Sequence, residues 1–180
     1  MIYMFLADGF EETEALVPLD LIRRAGCDIK TVGIGSEYIT GAHGICVKAD
    51  LAESQFSSIL CDGIILPGGM PGTENLYSSN TVMNAVQSCI ENKMVAAICA
   101  APIILGREAM LRDKKAVCFP GFEDELIGAE IEQLPCVRDK NVITAKGAGC
   151  VFEFAYEIIS YFKNKETADN VINTIQHKGF

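Results

Sequence analysis

The sequence contains no tryptophan and only two histidines among its 180 residues. It has no basic stripe and no aromatic platform. Lysine and arginine number 15 against 24 aspartates and glutamates, for a net charge of -9. That balance argues against nucleic acid and anionic membranes as partners. No apolar run reaches the length of a membrane span. The stretch from Ile2 to Ala7 is too short for a span or a secretory leader and runs straight into acidic residues. A soluble, cytoplasmic protein is expected. Eight cysteines stand at positions 27, 46, 61, 89, 99, 118, 136 and 150, with no Cys-x-x-Cys pair and no histidine at ligand spacing. This excludes an evident zinc site or disulfide framework and suits a reduced chain with buried thiols. Neither a metal nor a cofactor is expected. His43 and His177 lie far apart without evident chemical neighbours, so each is read as a surface residue.

What is present is a core. Hydrophobic residues make up 49% of the chain, and 180 residues suffice for one α/β domain but are short for two. Residues 1–180 are read as a single domain, with 164–180 as a C-terminal helical extension. Apolar runs predict strands over Ile2–Leu6, 28–33, Cys61–Leu66, Met94–Ile98, Lys115–Phe119, 130–137 and 141–145. Tyr38–Thr40 and Ile45–Val47 read as a hairpin, and 51–60 as a connector with a weak helical pattern. Helical spacing predicts helices from Glu11 to Arg24, over Thr81–Glu91, from Pro102 through Leu111, over Val151–Phe162 and over Thr167–Gln176. Shorter turns of helix are expected at Asn75–Tyr77 and within 120–127. Pro18 has no N–H for the carbonyl of Glu14, so the first helix should be distorted there. Strands alternating with helices imply a mostly parallel sheet covered on both faces, with sites beyond the carboxyl ends of its strands.

The stretch Met94-Val95-Ala96-Ala97-Ile98-Cys99-Ala100-Ala101-Pro102 is the centre of the chain. A buried strand passes through Cys99 into a helix that Pro102 suits at its first turn. Cys99 therefore sits at a strand-to-helix elbow. The helix dipole there favours a thiolate, the nucleophilic form of cysteine. The plain alternative is a small apolar filler in a tight turn. Two further features fall at the same sheet end: the acidic turn carrying Glu14, and the loop Pro67-Gly68-Gly69-Met70-Pro71-Gly72, whose glycines let a ligand approach backbone N–H groups. Cys150 also precedes a helix and is a rival to Cys99.

Four segments together carry a resemblance: Asp8-Gly9-Phe10-Glu11-Glu12-Thr13-Glu14, Leu66-Pro67-Gly68-Gly69, Ala97-Ile98-Cys99-Ala100-Ala101-Pro102 and Gly147-Ala148-Gly149-Cys150-Val151-Phe152-Glu153-Phe154-Ala155. In order and spacing they resemble the DJ-1/ThiJ/PfpI superfamily, nearest its bacterial DJ-1-like branch, from the first strand to about Phe162. The resemblance implies a flavodoxin-like three-layer α/β sandwich, a nucleophile elbow and a homodimer. It implies that Cys99 is the reactive thiol and Glu14 a protonated carboxyl bonded to it. The N–H groups of Gly69 and Ala100 would bind an oxyanion, and Gly68 and Phe119 would border the substrate pocket.

The resemblance further implies a cofactor-independent glyoxalase or deglycase acting on methylglyoxal, glyoxal or their early adducts. A thiol redox sensor built on the same cysteine is the alternative. A peptidase or amidase fits less well. Ala100 stands where the protease branch has a histidine, and Phe119 stands where some relatives have one, so no neighbouring base is available for amide attack. Class I glutaminases share a similar elbow but need a downstream histidine and acid, and His177 is the only downstream histidine.

Overall fold

A computed structural model describes residues 1–177. Its frame is a seven-stranded sheet. The strands are β1 (Ile2–Leu6), β2 (Ile29–Gly33), β5 (Leu51–Ala52), β6 (Gly63–Leu66), β7 (Met94–Ile98), β10 (Cys136–Asp139) and β11 (Val142–Ala145). They lie in the order β10-β11-β7-β6-β1-β2-β5. Every pairing is parallel except β10 with β11. Two small sheets stand apart: the antiparallel hairpin of β3 (Tyr38–Thr40) and β4 (Cys46–Lys48), and the parallel pair β8 (Lys115–Ala116) and β9 (Glu130–Ile131). The fold is the flavodoxin-like three-layer sandwich expected from the sequence.

The continuous apolar runs follow from burial on both faces. Alternate residues of one strand enter different cores. On β7, Met94, Ala96 and Ile98 join one cluster with Phe154 and Ile158, while Val95 and Ala97 join the other with Val86 and Ile104. The first layer holds α1 (Glu12–Arg24), α5 (Val151–Phe162) and α6 (Lys165–Thr174). The second holds α2 (Gly72–Tyr77), α3 (Asn80–Cys89) and α4 (Pro102–Arg107). Of the 164–180 extension, α6 buries Ala168, Val171 and Ile172; positions 178–180 lie outside the described residues.

Several boundaries differ from the sequence reading, each for a local reason. The helix after Pro102 stops at Arg107 instead of reaching Leu111, because Ala109 turns left-handed at φ 54°. The strand expected over 115–119 ends at Ala116. Beyond it, the N–H of Val117 donates to the Thr144 hydroxyl and that of Phe119 to the Cys99 carbonyl, so neither joins a ladder. The strand expected over 130–137 is two strands, β9 and β10, separated by a segment containing Pro135. The 51–60 connector is β5 followed by two short 3-10 turns. Pro18 does not break α1, which runs unbroken from Glu12 to Arg24. At the helix start the Glu11 side chain accepts the N–H of Glu14 at 2.8 Å, an N-terminal cap. Among the described residues, no helix is long and apolar enough to cross a membrane.

Candidate active site

Four chain segments leave the carboxyl ends of β1, β6, β7 and β11 and meet. The first two are stitched by the N–H of Glu11, which donates to the Gly68 carbonyl at 2.9 Å. This is where the strand order reverses: β1 connects outward to β2, and the chain returns on the other side through β6. Close approach demands glycine here. Gly69 has φ 90°, and a Cβ on it would collide with the backbone N of Glu11.

Cys99 stands on the turn between β7 and α4 at φ 63°, a left-handed conformation for a residue with a side chain. Such a conformation costs on the order of 1–2 kcal/mol and persists only when surroundings enforce it. They do so from both sides. The Cys99 N–H donates to the Ala145 carbonyl at 2.9 Å, and the Cys99 carbonyl accepts from Phe119 at 2.8 Å. The turn thus lifts the sulfur out of the sheet, and Cys99 is partly exposed while Ile98 and Ala100 are buried.

Glu14, on the first turn of α1, is 1% exposed. Its carboxyl accepts the N–H of Gly68 at 3.0 Å and that of Ala148, and it is hydrogen-bonded to the Cys99 sulfur. Burial pushes this carboxyl up to about 7; the Glu11 charge adds to the rise, while the bonds from Cys99, Gly68 and Ala148 oppose it. Burial first, then the charge of Glu14 and the bond to it, push the Cys99 thiol up to about 12, against the N–H groups of Ala100 and Gly69 aimed at the sulfur. The helix dipole alone therefore does not make a thiolate, contrary to the sequence expectation. Helix α4 has only six residues, and burial of the sulfur together with an ionised Glu14 outweighs it. The two groups act as one pair that shares a proton. When the proton sits on Glu14, the repulsion vanishes and the carboxyl donates to a thiolate.

The structure brings the predicted Cys99, Glu14, Gly68, Gly69 and Ala100 together. Phe119 joins them at the rim, 47% exposed. Sequence reasoning missed two neighbours. A Cβ on Gly147 would lie 3.9 Å from the Cys99 sulfur, 3.8 Å from Glu14 Oε1 and 3.3 Å from the Phe119 ring. Ala148 supplies the amide to Glu14. The signal was a glycine-rich stretch directly after an apolar strand. Cys150 is not placed with Glu14. Burial and the charge of Glu153 raise its thiol, and its electrostatic neighbours include Cys136.

His43 is exposed, as expected, but it does have a chemical neighbour. Its Nδ1 lies 2.9 Å from Glu12 Oε2, and its backbone N–H reaches Glu12 Oε1 at 2.8 Å. Sequence distance hid this, because the β3–β4 hairpin folds back over the start of α1. Burial would push the Glu12 carboxyl up, but the bonds from His43 and Ile45 prevail and hold it at about 2. Glu11, Glu12 and His43 place one ligand atom each within 4.8 Å of one another, the described group best suited to a cation. Glu12→Ala is expected to cost about 1–3 kcal/mol by orphaning these donors. Because the folded value lies below the usual 4.5, the carboxylate's contribution is present above pH 4.5 and lost as pH falls towards 2. Urea melts of wild type and variant at pH 7 and pH 3 check this, since the gap between them should narrow in acid.

Fold and site define an α/β protein with a thiol–carboxyl pair at the carboxyl end of a parallel sheet. The DJ-1/PfpI family model matches residues 1–161, and the chain belongs to that family. It is 30% identical to dj-1beta of Drosophila melanogaster over 172 residues, covering 93% of this chain and 92% of that protein. It is 28% identical to a protein of Pyrococcus abyssi named a deglycase, over 159 residues, covering 87% and 96%. The solved structure of oxidized Toxoplasma gondii DJ-1 matches with a TM-score of 0.94 at 29% identity, covering 99% of this chain and 98% of that one.

Proposed function

We propose that the protein is a cysteine-dependent, cofactor-independent glyoxalase or deglycase acting on methylglyoxal, glyoxal or their early adducts. The observation that carries this reading is the buried Glu14 carboxyl bonded to the Cys99 sulfur, with the amides of Gly69 and Ala100 on that same sulfur. The deglycase name of the archaeal relative supports the reaction class.

The steps follow from the pair. The Cys99 thiolate attacks the aldehyde carbon of methylglyoxal, forming a C–S bond and an alkoxide. The amides that face the sulfur are close enough to receive that oxygen, and each such donor contributes roughly 3 kcal/mol where water is excluded. Glu14 gives its proton to the alkoxide. As a carboxylate it then takes the proton from the former aldehyde carbon and returns it to the neighbouring carbon, through an enediol, while the hydroxyl proton on the first oxygen passes to the second. The product is a lactyl thioester. Water attacks its carbonyl, the C–S bond breaks, and lactate leaves. Glyoxal would give glycolate by the same route.

Lactate release from methylglyoxal, without glutathione, tests this. Saturable turnover supports it. No turnover, with Cys99 oxidising selectively under mild peroxide, would favour the redox-sensor reading, for which the partial exposure of Cys99 speaks. The homodimer implied by the family likeness belongs to the same proposal, and light scattering tests it.

Glu14→Gln separates the two roles of the carboxyl. It keeps a donor for the thiolate but cannot carry a proton, so kcat should fall about 10²–10⁴-fold. In the wild type, kcat/KM should rise with pH through about 7, as the pair sheds its first proton and one proton stays shared between sulfur and carboxyl. That inflection should vanish in the variant. Stability carries the opposite sign. Folding holds Glu14 above its ordinary value of 4.5, so wild-type stability is lost as pH rises from 4.5 through 7, and Glu14→Gln should melt higher than wild type at pH 8. Unchanged kcat in the variant would remove Glu14 from the proton transfer.

A further inference from the structure

Two cysteines that the proposed chemistry does not use lie against each other at the opposite end of the sheet. Cys61 stands two residues before the first residue of β6, and Cys89 is the last residue of α3 before the turn into β7. Their sulfurs are 3.5 Å apart, and both side chains are buried, at 1% and 0% exposed. Cys61 Sγ also lies 3.5 Å from the Gly63 carbonyl, and Ser88 Oγ lies 3.8 Å from Cys89 Sγ. We propose that Cys61 and Cys89 form a second redox site, a dithiol that hydrogen peroxide converts reversibly to a disulfide independently of Cys99.

The geometry is poised for the bond. Closing from 3.5 Å to the covalent distance of about 2.05 Å requires each sulfur to move about 0.7 Å. That is within the reach of small side-chain rotations. The roles of the two sulfurs are unequal. The Cys61 hydrogen bond and the Lys93 charge favour a thiolate on Cys89, against its burial and the charge of Asp62, while the Ser88 hydroxyl donates to the Ala85 carbonyl at 2.8 Å. On Cys61, the bond to Cys89 and burial favour the thiol. Cys89 is therefore the attacking sulfur and Cys61 the resolving one. Access comes through the segment before Cys61, a 3-10 turn whose Ile59 and Leu60 are 88% and 58% exposed and hold little against the core.

The reaction balances with one peroxide. The Cys89 thiolate attacks a peroxide oxygen; the S–O bond forms, the O–O bond breaks, and the departing hydroxide leaves as water after taking a proton. Cys61 then attacks the Cys89 sulfenic sulfur. The S–S bond forms, the S–O bond breaks, and the hydroxide leaves as water with the Cys61 proton. Each sulfur loses one electron, and the peroxide gains two. The bond would tie the start of β6 to the end of α3. Both connect within one strand to the site, β6 to Gly68 and β7 to Cys99.

The first measurement is on the wild-type protein. Native protein is exposed to stepwise hydrogen peroxide, denatured, alkylated and digested. No lysine or arginine lies between Lys48 and Lys93, so trypsin leaves both cysteines on peptide 49–93. That peptide should become lighter by about 2 Da and take up no alkyl group. Further cleavage at Glu74 should leave its halves joined until dithiothreitol is added. Cys99→Ala protein should give the same result, and Cys61→Ser should leave Cys89 as sulfenic or sulfinic acid with no joined pair. Two alkyl groups on peptide 49–93, at peroxide that has fully oxidised Cys99, would overturn the proposal. So would bonds from either cysteine to a different partner. The readout is mass, so it stands or fails apart from any turnover of carbonyl substrates.

Discussion

Cys99→Ala is expected to abolish lactate formation from methylglyoxal, by at least about a thousand-fold, while the protein stays folded. The size follows from the chemistry. Without the sulfur no covalent adduct forms, and Glu14 has no alkoxide to protonate. A thousand-fold is about 4 kcal/mol of barrier, and the surrounding amides do not offset it, because without the adduct there is no oxyanion for them to bind. The fold should survive because the turn is held by backbone bonds to Ala145 and Phe119, not by the sulfur. A companion substitution reads the strain. At φ 63°, alanine keeps the penalty that cysteine bears, whereas glycine does not. Cys99→Gly should therefore be more stable than Cys99→Ala by about 1 kcal/mol, an ordering opposite to that of most exposed positions. Side-by-side urea melts measure it. A folded Cys99→Ala protein with wild-type turnover would remove the sulfur from the reaction.

The sheet and the elbow were legible because their determinants are local. Met94–Ile98 is an unbroken apolar run that both faces of the sheet bury, and Pro102 marks the helix start three residues past Cys99. The meeting of Glu14, the Gly68-Gly69 loop and Cys99 was legible as well, since a parallel sheet puts all such loops at one end. What the sequence concealed depends on contacts between distant residues. Glu12 and His43 look unrelated until the hairpin folds over α1. The electrostatics of Cys99 could not be read from the elbow either. The dipole of a short helix predicts a thiolate, but burial of the sulfur and the charge of a carboxyl in contact both favour the thiol. Cys61 and Cys89 are 28 positions apart and read as two unconnected fillers, yet their sulfurs touch.

Gly68→Ala is expected to damage both stability and turnover, although it adds one methyl group to a residue that does no chemistry. A Cβ at Gly68 would lie 2.6 Å from Glu14 Oε2, 2.7 Å from Cys99 Cβ and 2.9 Å from the Ile98 carbonyl. Two of these belong to the elbow and are fixed by backbone pairing. The third, the Glu14 carboxyl, is held by the Gly68 N–H itself. The methyl must therefore push the β6 loop off β7 or drive the carboxyl away from the sulfur. Overpacking of this kind costs about 1–3 kcal/mol. A displacement of about 1 Å between acid and nucleophile costs about a hundred-fold in rate. Gly149→Ala is the matched control. It lies two residues past Gly147, and a Cβ there meets nothing within 4 Å, so melting point and kcat should stay near wild type. Thermal melts and lactate assays on the two variants decide the matter. If Gly68→Ala keeps full turnover, the close placement of Glu14 against Cys99 is not what the reaction depends on.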